Sequence, residues 1–419
     1  VPQQRTHCFE KLWRYFVLQR SVPHRCTAAA AAITLTLALS SCGAKHDPAE
    51  DMTFNGSYHM IEGGTSVLIE DTATNVRSSL IYFPEDMETV YGQTALSAEE
   101  KKIYDSLVKA IGDEEPSVPM EADGETYTKI LNLIGIEQMG FGNVSDRRVG
   151  EFDVESQHFP VEFTYRFSCE EMSNMNRAAE AAANEIMLGV TDEMTTYDKL
   201  KYFHDYLITH CESDSEDAYA NTIYGALVRG KALCEGYAKS FSYLCNKAGI
   251  ENIIVTGETD TAHMWNMVKI DGNWYHIDVT WDKPDGTIAE MYPDMVMYQY
   301  FLVTDSVIEN NHTIWTITTP PPKAYGTKEN YFVKEGLYVE NEQMTEQTIE
   351  NALRKAIAEG KHTISIKFST SNMLLSTVRQ MMDSANNSGD YLKSRISDIS
   401  SEFNIKLNIS WTDYYSQFR

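Results

Sequence analysis

The chain has 419 residues, 42% of them hydrophobic, and a formal net charge of −26. That length allows more than one folded unit. An acidity of this size argues against nucleic-acid binding or anionic-lipid binding through a basic patch, and the sequence carries no basic stripe, phosphate-binding glycine loop or second long apolar span.

The amino terminus reads as an export signal. Residues Ala28 to Ser41 form an apolar run preceded by Arg20 and Arg25 and ending Leu39-Ser40-Ser41-Cys42. A membrane span needs about 20 residues, which this run does not reach, but it suits the hydrophobic region of a signal peptide. The ending resembles the bacterial lipobox, with serine where glycine or alanine is commoner. That resemblance implies lipidation of Cys42 and attachment of the mature chain to the membrane, at the cell surface or in the cell envelope. Residues 1–41 are then a lipoprotein signal peptide outside the fold. They carry Arg5, Lys11, Arg14, Arg20 and Arg25 against Glu10, a net +4, so the remainder stands near −30. Cys42, Cys169, Cys211, Cys234 and Cys245 remain, without zinc-site spacing or a small-domain disulfide framework. A Cys169–Cys211 or a Cys211–Cys245 bridge stays open, and no metal or cofactor is expected.

Residues 42–154 read as an amino-terminal accessory region. They contain a polar tail, a strand at Ser66-Val67-Leu68-Ile69-Glu70, and a helix that opens at Ser97 with the capping-box spacing to Glu100. The catalytic region is expected over 155–319. Val161 to Phe167 alternates as a strand leading into it, and Thr195 to Asp198 cap a helix whose Leu200, Phe203 and Leu207 face inward. His204 reads as a packed residue of that helix. The acidic run Glu212 to Asp217 lacks the glycine and ligand spacing of a calcium loop, so it reads as a solvated loop.

The chemistry begins at Gly230. Lys247, Ala248 and Gly249 mark a helix end, and Ala238, Phe241, Leu244, Cys245 and Ala248 recur at helical spacing before it. Cys234 therefore falls in the first turn, where unpaired amides and the helix dipole favour an anion. Its own amide is a candidate oxyanion donor. Gly230 and Gly236 would let the backbone bend and a substrate approach. Tyr224, just upstream, is either a second donor or a core tyrosine.

A β-hairpin follows, with Met264 to Ile270 and Trp274 to Val279 flanking the turn dipeptide Asp271-Gly272. A two-residue loop pairs Ile270 with Asn273, Trp265 with Asp278 and His263 with Thr280. His263 and Asp278 then become diagonal neighbours on one face, in reach of an imidazole–carboxylate bond. His276 shares that face. Trp265 and Trp281 are expected to wall the site and exclude water.

Tyr224 to Ala238, His263-Met264-Trp265-Asn266 and Trp274 to Asp282 together resemble the bacterial transglutaminase-like superfamily. The resemblance runs from near Tyr197 to Asp282. It implies an α+β, papain-like core, with a cysteine-bearing helix packed on an antiparallel sheet. It further implies Cys234 as nucleophile, His263 as general base and acid, and Asp278 as the orienting carboxylate. Family members include cross-linking acyltransferases, peptidases, amidases and chains that have lost catalysis. The expected activity is acyl transfer at a peptide or amide bond, hydrolysis ahead of amine cross-linking, on a protein or peptide that could include cell-wall peptide. The rival is a binding module that kept the fold. A lone buried cysteine is usually a small hydrophobe, and Cys245 reads that way.

Pro320-Pro321-Pro322 closes the region. Residues 323–419 read as a small α/β domain: a helix on Ile349, Ala352, Leu353, Ala356 and Ile357; a strand on Ile364, Ile366 and Phe368; a helix on Leu374, Val378 and Met381; and a strand on Leu407, Ile409 and Trp411.

Overall fold

The computed structural model describes residues 95–137, 144–151, 153, 158–284, 289–290, 295–360, 364–370, 372–374 and 376–377, with the strand backbones of 32–40 and 406–413. Cys42, the strand expected at Ser66 to Glu70, and Val378 and Met381 lie outside these residues. In chain order, the first elements are β1 (Ala32–Ser40), α1 (Ala98–Gly112), β2 (Ser117–Pro119), α2 (Gly124–Glu137), β3 (Val144–Val149) and β4 (Pro160–Tyr165). Ser97 and Glu100 close the expected capping box on α1. Strands β2, β4 and β3 form one antiparallel sheet. Tyr104, Leu107, Ile130, Ile134, Val161 and Phe163 bury a separate small core there. Strand β4 thus belongs to the amino-terminal sheet rather than leading into the central one. Its inward residues Val161 and Phe163 need an apolar partner, and α1 and α2 supply it.

The central layer follows as α3 (Cys169–Met187), α4 (Thr196–His210), β5 (Glu212–Ser213), α5 (Ile223–Leu227), β6 (Lys231–Ala232), α6 (Cys234–Lys247), β7 (Asn252–Glu258), β8 (Ala262–Ile270), β9 (Asn273–Ile277), β10 (Phe301–Val303), α7 (Asp305–Ile308) and β11 (Thr313–Ile314). Thr195 and Asp198 cap α4 as expected, and Leu200, Phe203 and Leu207 are buried. Strands run β10-β9-β8-β7-β11 in an antiparallel sheet. Helix α6 lies against it, tied by Asn266 Nδ2 donating to the Ala238 carbonyl at 2.9 Å. The sequence pattern predicts one buried face for α6, yet every residue from Gly236 to Cys245 is buried. Enclosure extends even to Lys239, whose ammonium is compensated one turn back by Glu235 at 2.7 Å.

The hairpin forms with the predicted register, Ile270 opposite Asn273. Asp271 and Gly272 take φ values of 49° and 80°, the left-handed pair that a tight two-residue loop requires. Ladder pairing ends at Asn266 opposite Ile277. Asp278 therefore lies one residue beyond β9, and the chain turns there, with the Asp282 amide donating to the Asp278 carbonyl at 3.1 Å. His263 pairs with Gly257 of β7, and the expected His263–Thr280 pairing does not form.

The last elements are α8 (Tyr331–Lys334), β12 (Tyr338–Val339), α9 (Thr345–Ala358), β13 (Ile364–Phe368) and β14 (Lys406–Asp413). The buried face of α9, with Ile349, Ala352, Leu353 and Ala356, joins the same apolar cluster as Leu200, Phe203, Phe241 and Leu244. Strands run β12-β13-β1-β14, so Ala32–Ser40 pairs with both β13 and β14. Cleavage ahead of Cys42 would separate this strand from the rest of the chain. Among the described residues, no helix is long and apolar enough to cross a membrane.

Candidate active site

Cys234 occupies the first turn of α6 and is partly exposed. Leu233, the capping residue, offers no side-chain acceptor, so the first amides of the helix are left without a side-chain cap. The glycines around it serve packing. A Cβ on Gly236 would lie 2.2 Å from the Ala220 carbonyl oxygen, and Gly230 takes φ +65° with the His210 carbonyl 2.8 Å from its would-be Cβ. Close backbone approach, rather than room for a substrate, explains both.

His263 and Asp278 meet as the register requires. His263 Nε2 lies 2.6 Å from Asp278 Oδ2. With Nε2 committed to Asp278, Nδ1 is the ring nitrogen left for another partner. Burial alone would push His263 down; the charge and hydrogen bond of Asp278, with the bond to Cys234, hold it up to about 10. Asp278 is fully buried. Burial opposes its ionisation, but His263 and a second histidine hold its carboxyl well below the ordinary range.

That second histidine is His312. Its Nε2 lies 3.0 Å from the same Asp278 Oδ2, while the Trp281 amide donates to Oδ1 at 3.1 Å. An ionised carboxylate only accepts, so both imidazoles present N–H to it. His312 Nδ1 lies 2.7 Å from the Asn311 side-chain amide, whose other end reaches Tyr300 Oη at 2.6 Å. No sequence motif marks His312: it stands 34 residues after Asp278, in a polar turn.

Aromatic rings fix this group. Trp265 stacks on His263 with centroids 5.8 Å apart, and Trp281 tilts against it at 6.2 Å. The ring of Trp281 also covers His312 at 4.8 Å. Trp265 is fully buried, its indole N–H donating to His276 Nδ1 at 3.0 Å, and His276 Nε2 lies 3.1 Å from Asp305 Oδ1. Burial drives the His276 pKa down, consistent with a neutral ring that accepts from Trp265. His276 thus supports the tryptophan under His263. His204 is buried beneath, 3.1 Å from Asp282 Oδ2, and Asp282 Oδ1 accepts from the Tyr300 amide at 2.9 Å. Burial lifts the Asp282 carboxyl to about 6 against the pull of His204.

Tyr224 sits on α5, edge-on to Tyr219 with centroids 5.3 Å apart, beside the buried pair Met172 and Met175. The acidic run is not simply solvated: Asp214 pairs with Lys231 at 2.8 Å and Asp217 with Arg229 at 2.6 Å. Cys169, Cys211, Cys234 and Cys245 are all free thiols, and burial pushes Cys211 up to about 11. Ligand atoms of His263, Asp278 and His312 lie within 4.8 Å of one another, close enough to share an ion. Each is also satisfied by the hydrogen bonds above, so an ion would have to displace both imidazole protons.

The structure thus sets a cysteine in the first turn of a helix packed on an antiparallel sheet, whose strand β8 carries His263, hydrogen-bonded to Asp278 just past β9. Residues 180–279 match the family described as the transglutaminase-like superfamily. Two curated relatives, the kyphoscoliosis peptidases of Homo sapiens and Mus musculus, are 23% identical over 213 and 216 residues, each covering 45% of this chain and 32% of the relative. The match thus spans about a third of the length of those relatives. Among solved structures, a TGase is 15% identical with a TM-score of 0.25, covering 41% of this chain and 51% of its own. A candidate cysteine protease from Cytophaga hutchinsonii is 13% identical with a TM-score of 0.24, covering 44% of this chain and 81% of its own.

Proposed function

We propose that the chain is a thiol acyl-transfer enzyme acting on peptide or amide bonds through Cys234, His263 and Asp278. The observation that carries this reading is the buried 2.6 Å bond between His263 and Asp278, on an imidazole whose charged form Asp278 and Cys234 both favour. Sγ of Cys234 attacks the carbonyl carbon, and its proton is held at His263 Nδ1. The carbon–nitrogen bond breaks, the leaving amine takes that proton, and a thioester remains. Water then attacks the thioester, His263 takes the water proton and returns it to Cys234 Sγ, and a carboxylate is released. Amides of the first turn of α6 are placed to meet the developing oxyanion. Asp278 holds the imidazole in one tautomer and direction. Hydrolysis is favoured over amine transfer because no dedicated amine site is evident among the described residues, and the peptidase names of the curated relatives support it.

The first test is iodoacetamide alkylation of the full chain across pH, wild type against His263→Ala. A rapid rate well below pH 8 that falls in the variant supports the enzyme; labelling no faster than a free thiol leaves a binding module. Lipid attachment through Cys42 in the cell envelope belongs to the same proposal. Expression with a labelled fatty acid tests it: label on the wild type and none on Cys42→Ala is expected, and an unprocessed, unlabelled wild type refutes it.

A further inference from the structure

Asp278 stands one residue beyond the end of β9, so the sheet ladder does not fix it. The peptide of Tyr300 does. The Asp278 amide donates to the Tyr300 carbonyl at 3.1 Å, and the Tyr300 amide donates to Asp282 Oδ1 at 2.9 Å. The Asp282 amide closes the ring by donating to the Asp278 carbonyl at 3.1 Å, while the Asp282 carbonyl accepts from the Met297 amide at 3.3 Å. The turn that carries Asp278 and Trp281 is therefore gripped at both ends by the segment leading into β10. At the far end the grip is a side chain, the Asp282 carboxylate.

That carboxylate is itself held. Asp282 is fully buried, and its other oxygen, Oδ2, meets His204 Nε2 at 3.1 Å from 78 residues away along the chain. His204 is fully buried too, and its Nδ1 lies 3.1 Å from Asp205 Oδ1. Asp205 Oδ2 accepts from Tyr298 Oη at 2.9 Å and pairs with Lys201. The His204 ring stacks on Tyr298 with centroids 5.3 Å apart and meets Phe301 edge-on at 4.8 Å. An imidazole pinned at both nitrogens and on its face has one orientation, and so has the carboxylate it holds. A buried histidine–carboxylate pair adds little net stability over apolar side chains of the same volume. Its gain lies in the direction it imposes on the turn.

We infer that His204 and Asp282 are positioning residues for the proposed reaction, locking the 278–282 turn so that Asp278 faces His263. The inference rests on the thiol-enzyme reading for its catalytic meaning, but the hold on Asp278 can be measured without reactivity. The experiment uses the full chain as wild type, Asp278→Ala, Asp282→Ala and His204→Gln, with Asp282→Ala and His204→Gln each also combined with Asp278→Ala. Iodoacetamide labelling from about pH 5 to about pH 10, read at the Cys234 peptide by mass spectrometry, gives the pH midpoint of thiol reactivity. Asp278 favours the imidazolium and the imidazolium favours the thiolate, so an Asp278 turned away raises that midpoint. Asp282→Ala and His204→Gln should each raise it by about one pH unit, with labelling about tenfold slower at pH 6 and an unchanged plateau in alkali. In the Asp278→Ala background neither should raise it further, because both act through Asp278. A Leu353→Ala control in the same apolar cluster as Phe203 and Phe301 should lower the urea midpoint and leave the labelling midpoint in place. Unmoved midpoints in both single variants, or equal increments with and without Asp278, would overturn the inference and leave the enzyme reading standing. A wild-type thiol no faster than free cysteine sinks the enzyme reading instead, and urea denaturation of the same set then decides the hold on Asp278. The stability lost in Asp282→Ala should be smaller once Asp278 is already gone; equal losses overturn the inference. Should Asp282→Ala fail to fold, His204→Gln carries the same cycle.

Discussion

Replacing His312 by phenylalanine tests whether Asp278 depends on two imidazoles or one. The substitution keeps a ring against Trp281 and Trp265, which lie 4.8 Å and 5.0 Å from the native ring. It removes the 3.0 Å bond to Asp278 Oδ2. A hydrogen bond to a charged group contributes about 1.5–3 kcal/mol, and a fully buried carboxylate has no water to replace it. At about 1.4 kcal/mol per pH unit, the Asp278 carboxyl should rise by about one to two units. A carboxyl held low in the folded state contributes stability above its ordinary pKa and loses it as pH falls through the folded value. Wild type should therefore exceed His312→Phe by about 2 kcal/mol at pH 7, and the gap should narrow only in strong acid. Urea denaturation followed by tryptophan fluorescence measures this, with iodoacetamide labelling of Cys234 alongside. His263 keeps its own bond to Asp278, so labelling should slow far less than in His263→Ala. A midpoint at pH 7 indistinguishable from wild type would refute the argument, because it would mean that Asp278 makes no use of the second imidazole.

Three further outcomes are expected. Since His263 is held up to about 10, stability from its charged form is complete below about pH 6.5 and drains away as pH rises through 10. A pH series of melting temperatures should show that alkaline loss in wild type and a reduced one in His263→Ala; parallel curves would contradict it. Gly257→Ala places a Cβ 2.1 Å from the Thr313 carbonyl oxygen and 2.7 Å from the Trp265 ring. It should cost about 1–3 kcal/mol by overpacking and slow Cys234 labelling by moving the ring under His263; wild-type stability in a denaturation series would count against the close approach. Micromolar zinc should slow labelling through His263, Asp278 and His312, whose ligand atoms lie within 4.8 Å, with chelator restoring the rate. Undiminished zinc sensitivity in His312→Phe would assign the effect elsewhere.

The hairpin was legible because its information is local. Asp271-Gly272 dictates a two-residue loop, the loop sets the register, and the register brings His263 to Asp278. The cysteine helix was legible in the same way, from its apolar spacing and terminal glycine. His312 was not, because its contact with Asp278 depends on how the chain returns after β10, and nothing near Asn310-Asn311-His312 encodes that path. The destination of β4 was hidden for a related reason, since alternation marks a strand but not its partner. Ala32–Ser40 is ambiguous in a different sense. Ile33, Leu35, Leu37 and Leu39 alternate with smaller residues, so one run meets the apolar requirement of an export signal and the period of a strand. Processing decides which property is used.

The apolar cluster that contains both α6 and α9 has a bearing on portability. Residues 180–279 carry the family resemblance, and a biochemist would naturally excise them. Yet Phe301, Phe332, Val339, Ile349, Leu353 and Phe368 all sit in the cluster that buries Phe203, Phe241 and Leu244. Cutting after residue 279 removes β10 from the sheet edge and strips the lid from that core. A transplanted fragment would present oily surface and an open strand edge, the ordinary ingredients of aggregation. Cys234 is therefore inherited together with its carboxy-terminal half, and grafting it into another scaffold would require carrying the chain to at least Leu374.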